Sequence, residues 1–205
     1  MNTIQGNIPI ILLTLHSGNL YKEENTTEKT DLHTGEMGLL ILRKFSELFG
    51  VYPSLISTDV HKSFMNGNRP LEEQKTPEAQ ELWKQIHSWI RQEQGRWKYR
   101  CLMIDIHGHQ FNDMFIYRGT QNGASFQPTK KWCESWNTHF DDSSYKIYPK
   151  SWSSKREFKK YKGGYNTKIY TNTIQLEFPL YIRENPDDFV DRFVKFLRFA
   201  YVGNI

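Results

Sequence analysis

The first strong signal along the chain is an unbroken apolar run, Ile8-Pro9-Ile10-Ile11-Leu12-Leu13-Thr14-Leu15. A strand with one solvated face alternates apolar and polar residues. This run does not alternate, so it predicts a strand buried on both faces, as in a mostly parallel sheet. It ends at the turn-like His16-Ser17-Gly18-Asn19, and Tyr21 to Thr30 is polar and reads as a loop. From Thr34 the period changes: Met37, Leu40, Ile41, Phe45, Leu48 and Phe49 recur at helical spacing until Gly50. Val51 to Ser57 predicts a second strand, and His61 to Pro70 a loop. Thr76-Pro77-Glu78 joins a capping hydroxyl, a first-turn proline and an acid at the positive helix end. The helix it opens continues through Leu82, Trp83, Ile86, Trp89 and Ile90 to Gly95, and Arg100 to Ile106 predicts a third buried strand.

Gly119 to Asn172 is polar and aromatic with little periodicity. A structureless loop of that length is uncommon in a compact domain, so short strands or a variable substrate-side insertion are expected at about 119–172. Thr173 to Phe178 alternates as a strand does. Asn185-Pro186-Asp187-Asp188 opens a last helix with Phe189, Val190, Phe193, Val194, Phe196, Leu197, Ala200 and Tyr201. Strands alternating with helices predict one α/β domain over 1–205, a mixed, mostly parallel sheet flanked by helices. No internal repeat, glycine-rich phosphate loop or coiled-coil heptad interrupts this reading.

Composition narrows the class. The 205 residues suffice for a single large core, and 38% hydrophobic with 15% aromatic residues make that core aromatic. Two cysteines, Cys101 and Cys133, exclude a disulfide framework and a cysteine-rich zinc site. The run at 8–15 is too short to span a bilayer and no basic leader precedes it, so a cytoplasmic location is expected. Net charge is +4. The basic residues Lys155, Arg156, Lys159, Lys160 and Lys162 interleave with Trp152, Phe158 and Tyr161 between Lys150 and Lys168. Such a stretch can bind phosphate backbones. No nucleic-acid motif accompanies it, so it is read as a solvated face that attracts an anionic substrate.

Candidate chemistry collects where strands end, since open α/β sheets place their sites outside the carboxyl ends of strands. His16 follows the first predicted strand and His107 the third, within Asp105-Ile106-His107-Gly108-His109. Neutral imidazole is the commonest zinc ligand, and a catalytic zinc takes three protein ligands and leaves one position open. Asp105 has the strand parity of His107 and could orient its ring. His109 is a further ligand, a proton shuttle or a polar loop residue. The third ligand is expected to be a carboxylate, with Asp31, Glu23 and Glu24 as candidates; Asp31 could instead cap the following helix. Glu177 is an acid within an apolar strand. Its face is either solvated or buried, and burial would raise its pKa and suit it to general-base work. Arg69, beside Asn68, could hold a carboxylate by two parallel bonds.

Five segments occur in a familiar order: His16-Ser17-Gly18, Asn68-Arg69-Pro70, Asp105-Ile106-His107-Gly108-His109, Gly163-Gly164-Tyr165-Asn166-Thr167 and Gln175-Leu176-Glu177-Phe178-Pro179. Together they resemble the N-formylglutamate amidohydrolase family over about residues 8–200. The resemblance implies a zinc-carboxypeptidase-like, phosphorylase/hydrolase-like fold and one zinc ion held by His16, His107 and, in the segment Thr30-Asp31-Leu32-His33-Thr34, Asp31. It implies Glu177 as general base and acid, Asn68 and Arg69 as a clamp for a substrate carboxylate, and Tyr165 or Tyr170 as a side chain approaching substrate. The chain departs from the zinc carboxypeptidases three residues after the first histidine, where Asn19 replaces glutamate. The expected activity is hydrolysis of an amide in an N-acyl amino acid or peptide-like substrate bearing a carboxylate. The competing expectation is a catalytically degenerate member that binds a peptide or an anionic polymer.

Overall fold

The computed structural model describes residues 1–98, 100–111, 113–141, 145–152 and 163–202. Strand β1 (Asn2–Ile4) precedes β2 (Ile10–Thr14), which leads to helix α1 (Thr34–Phe49) and β3 (Ser54–Ser57). Helix α2 (Pro77–Arg96) then feeds β4 (Leu102–His109), followed by β5 (Phe115–Gly119), α3 (Lys130–Phe140) and β6 (Lys146–Tyr148). The chain closes with α4 (Tyr165–Ile169), β7 (Thr173–Pro179), α5 (Leu180–Glu184) and α6 (Asp187–Leu197). The seven strands form one sheet in the order β1-β3-β2-β4-β7-β5-β6. Strands β3, β2, β4 and β7 are mutually parallel, β1 and β5 join antiparallel, and β6 runs parallel to β5.

The missing alternation in β2 now has its cause. Ile10 and Leu12 pack into a cluster with α1, α3 and α6, while Ile11 and Leu13 pack on the other face against Trp83, Ile86 and Ile90 of α2. Thr76 caps α2 as its sequence predicts, its side chain accepting from the Ala79 N–H. From β2 the chain winds to β3 on one side, and from β4 it continues to the other side. The crevice between β2 and β4 is therefore a topological switch point, where such sheets bind ligands.

The structure corrects several expectations. Strand β4 does not stop at Ile106 but runs through His109, because β7 pairs with it over its whole carboxyl half, as far as His109 beside Pro179. Within 119–172 lies α3, whose Trp132, Trp136 and Phe140 are spaced at helical intervals and buried. The basic aromatic stretch falls largely outside the described residues, including Lys155, Arg156, Phe158, Lys159, Lys160, Tyr161 and Lys162. Trp152, at its start, is buried in the core. Among the described residues, no helix is long and apolar enough to cross a membrane.

Candidate active site

Two parallel strands bring His16 and His107 to the β2–β4 crevice, their ring centroids 4.6 Å apart. Asp31 joins them from the loop after β2. The path of that loop explains why residue 19 does not. Beyond His16 the chain pairs with the segment after β3, with the Leu20 N–H donating to Asp59 O and the His61 N–H to Leu20 O. Asn19 is thereby carried outward, where its side chain accepts from the Thr30 hydroxyl. The chain then returns, and the Asp31 N–H donates to His16 O at 3.0 Å. Asp31 does not cap α1 with its side chain. Residue His33 occupies the cap position without a side-chain bond, and it is the Asp31 carbonyl that accepts from the Thr34 hydroxyl.

The three side chains share one centre. Asp31 Oδ2 lies 3.4 Å from His16 Nδ1 and 3.1 Å from His107 Nδ1, and the ligand atoms of all three residues fall within 4.8 Å of one another. A tetrahedral ion with bonds of about 2.1 Å spaces its ligand atoms roughly 3.4 Å apart, so these separations fit a metal such as zinc. The remaining ring nitrogens are engaged behind the centre. His16 Nε2 meets Asn66 Oδ1 at 2.8 Å, and His107 Nε2 lies 3.0 Å from Asp105 Oδ1 and 3.2 Å from Asn68 Nδ2. With those nitrogens protonated, both Nδ1 lone pairs are available to a cation, the arrangement found behind many metal-bound histidines. Glu23, an alternative for the third ligand, instead pairs at the surface with Lys75 Nζ at 2.6 Å.

The field at this centre is negative. Burial alone would pull His107 down, but Asp105 and Asp31 outweigh it and hold its pKa well above the usual value. Burial likewise opposes ionisation of Asp31, yet the bonds and charges of His107 and His16 keep it an anion. A buried site that stabilises added positive charge accommodates a proton on His107 Nδ1 or a cation in its place. Lys62 closes the outer side of Asp31, with Nζ 3.3 Å from Oδ1.

Glu177 stands beside His107 in the β4–β7 register and lines the same cavity of about 910 Å³. Its face of β7 is buried, not solvated. Burial pushes its pKa up to about 7, with the charges of Asp31 and Asp105 adding to the rise and those of His107 and the Gln175 bond opposing it. A polar chain holds it. Gln175 Nε2 donates to Glu177 Oε1 at 2.6 Å, and Gln175 Oε1 accepts from the Gly164 N–H and from Asn68 Nδ2. Asn68 Oδ1 accepts from the Asn166 N–H, and Asn166 Nδ2 donates to Asp105 Oδ2. A side chain on residue 164 would place its Cβ 2.1 Å from Asn68 Nδ2, so the close approach requires glycine.

The remaining sequence candidates separate by place. Both Asn68 and Arg69 line the cavity, Asn68 engaged in this chain and Arg69 at the mouth, 63% exposed and 3.6 Å from Glu73. Tyr165 lines the cavity. Tyr170 does not: it is buried on the α2 side, its hydroxyl 2.6 Å from His87 Nδ1. His109 also lines the cavity, but Nε2 meets the Phe115 carbonyl and Nδ1 accepts from the Phe111 N–H, which makes it a brace for the turn after β4.

Sequence reasoning quoted Gln175 and Asn166 within its motifs but gave them no role, and it passed over Arg183. Gln175 shares the face of Glu177 two residues away, a signal present in the strand pattern. Arg183 is buried under the centre and donates to the carbonyls of Leu32, Phe178 and His109, tying the Asp31 loop to the ends of β4 and β7. A Cβ at residue 108 would lie 2.5 Å from its guanidinium carbon, which accounts for Gly108.

No protein-family model and no curated protein matches the sequence. Solved structures do match the fold. A crystal structure of N-formylglutamate amidohydrolase from Ralstonia eutropha superposes with a TM-score of 0.65 at 10% identity, covering 98% of this chain and 97% of that one. The crystal structure of a gene product from Agrobacterium tumefaciens gives 0.54 at 12% identity, over 94% and 87%. The chain thus has the fold of an N-formylglutamate amidohydrolase, the family its motif order resembles.

Proposed function

We propose that the chain is a zinc-dependent hydrolase of an amide bond in an N-acyl amino acid or peptide-like substrate bearing a carboxylate. One observation carries the reading: a two-histidine, one-carboxylate group and a buried glutamate line the same cavity. The amidohydrolase named above, of like fold, agrees with it. His16, Asp31 and His107 would hold one zinc ion, with Asp105 behind His107. The ion would supply Lewis acidity, acidifying water and polarising the amide carbonyl. Glu177 accepts the proton of the attacking water, and burial, which raises its pKa above that of an ordinary carboxylate, suits it to taking that proton and returning it. Gln175 holds Oε1, which leaves Oε2 to exchange the proton. As the carbon–nitrogen bond breaks, Glu177 returns that proton to the leaving nitrogen. Arg69 receives the substrate carboxylate by exchanging its exposed Glu73 partner for it, and Lys62 and Lys168, which also line the cavity, add positive potential. Tyr165 packs against the bound substrate.

Elemental analysis and kinetics on Glu177→Gln test this directly. The variant should keep one zinc per chain and lose about a thousandfold in turnover of an N-acyl amino acid, within the usual range for removing a general base. Near-normal turnover would remove Glu177 from the reaction, and a wild-type protein that takes up no zinc would remove the metal.

A further inference from the structure

A single row of side chains crosses the sheet beyond the proposed reacting centre. In the strand register His107 stands beside Glu177, Glu177 beside Tyr117, and Tyr117 beside Tyr148. Directly paired residues on neighbouring strands point to the same face. The row therefore runs from the metal-binding group through the glutamate to two aromatic rings at the sheet edge. Phe111 joins it from the turn after β4: its ring lies 6.0 Å from that of Tyr117, and it lines the cavity. The Tyr117 and Tyr148 rings are 5.6 Å apart.

Helix α2, which covers the β2–β4 part of this face, does not extend over this end of the sheet. The apolar cluster under α2 draws on β2, β3 and β4 and, among the described residues, on none from β5 or β6. Phe111 and Tyr148 are accordingly 38% and 37% exposed. The Tyr117 hydroxyl donates to Asp113 Oδ2 at 2.7 Å, which fixes the orientation of the middle ring. Successive rings are inclined at 73° and 53°, the edge-to-face and tilted arrangements that aromatic rings adopt with one another.

We infer that the acyl group of the substrate is aromatic and lies along the row of Phe111, Tyr117 and Tyr148. The inference rests on the amide-hydrolase reading of the centre. Its direction comes from the strand order. Arg69, which takes the carboxylate, follows β3, and β3 and β5–β6 lie on opposite sides of β2, β4 and β7. A substrate bound by its carboxylate on the β3 side and cut beside Glu177 extends its acyl group toward β5 and β6. Water adds to the acyl carbon and the carbon–nitrogen bond breaks, releasing an aromatic carboxylic acid and a free amino acid.

The test compares the N-benzoyl and N-acetyl derivatives of one amino acid on the zinc-loaded full chain. Wild type should favour the benzoyl compound by about tenfold or more in kcat/KM, the scale of one buried ring contact. Tyr148→Ala and Tyr117→Ala should each reduce that ratio severalfold, and Tyr148→Phe should retain it. A wild-type ratio near one, or a ratio that both alanine variants leave intact, overturns the inference. If neither amide is cleaved, the hydrolase reading fails, and calorimetry with the two intact compounds decides the row by itself. Tighter binding of the benzoyl compound that is lost in Tyr148→Ala upholds an aromatic subsite, and equal affinities overturn it.

Discussion

The crevice holding His16 and His107 and the α2 face holding His87 are both buried and both built around imidazole, yet they differ in where the second nitrogen goes. His87 spends both nitrogens on the protein: Nδ1 meets the Tyr170 hydroxyl at 2.6 Å and Nε2 the Gly67 carbonyl at 3.2 Å, with the ring stacked 3.8 Å from Trp83. His16 and His107 each spend one on Asn66 or Asp105 and turn the other toward Asp31. The surroundings differ in sign too. Carboxylates hold His107 above its usual pKa, whereas burial takes His87 down from 6.5 to about 4. Burial and residue type therefore do not separate a candidate metal ligand from a structural histidine. What faces the second nitrogen does: neutral hydroxyl and carbonyl groups at His87, a shared carboxylate at His16 and His107.

The contrast can be broken at its strongest point first. His107→Ala should abolish stoichiometric zinc and reduce hydrolysis to background, while His87→Phe should leave the zinc content unchanged. Equal zinc contents in the two variants would erase the distinction. A smaller effect is expected one layer out. Asp105→Asn should keep the fold but weaken zinc affinity about 10- to 100-fold, the usual cost of losing the carboxylate behind a ligand histidine. Competition with a chelator measures it, and an unchanged affinity would make Asp105 a matter of packing alone.

The smallest expected effect sharpens the other side. Because His87 has a depressed pKa in the folded state, the unfolded chain binds its proton more readily between about 4 and 6.5. Its contribution is therefore fully present above pH 6.5 and lost as the pH falls toward 4, by about 3 kcal/mol at most. Denaturation of wild type and His87→Phe across that window isolates it. The variant should start less stable at neutral pH, because Gly67 O and Tyr170 lose their partner, and should decline less on acidification. Parallel decline in the two proteins would show that His87 does not carry that part of the acid sensitivity.

The local elements were legible because their signals are short-range. The apolar run of β2, the period of α1, the Thr76-Pro77 start of α2 and the alternation of β7 each declare themselves within a few residues. The 130–140 helix was missed because its apolar positions are tryptophan and phenylalanine set among lysine, asparagine and histidine, which dilute the period. The edge strands β1 and β6 have three residues each, too short for any pattern. At the site, strand ends pointed to His16 and His107, but the residues alone did not choose among Asp31, Glu23 and Glu24.

The amino-acid sequence by itself therefore determined the class of fold, most of its elements and a short set of residues able to do chemistry. The tertiary structure alone decided which carboxylate returns beside His16, that Asn68 faces inward while Arg69 faces solvent, and that Tyr170 packs behind the site. The physical reason is that these outcomes depend on contacts between residues far apart in the chain. Asp31 is placed by a backbone bond to His16 and by the guanidinium of Arg183, 152 positions along from it, reaching under the loop. No local period encodes such a meeting.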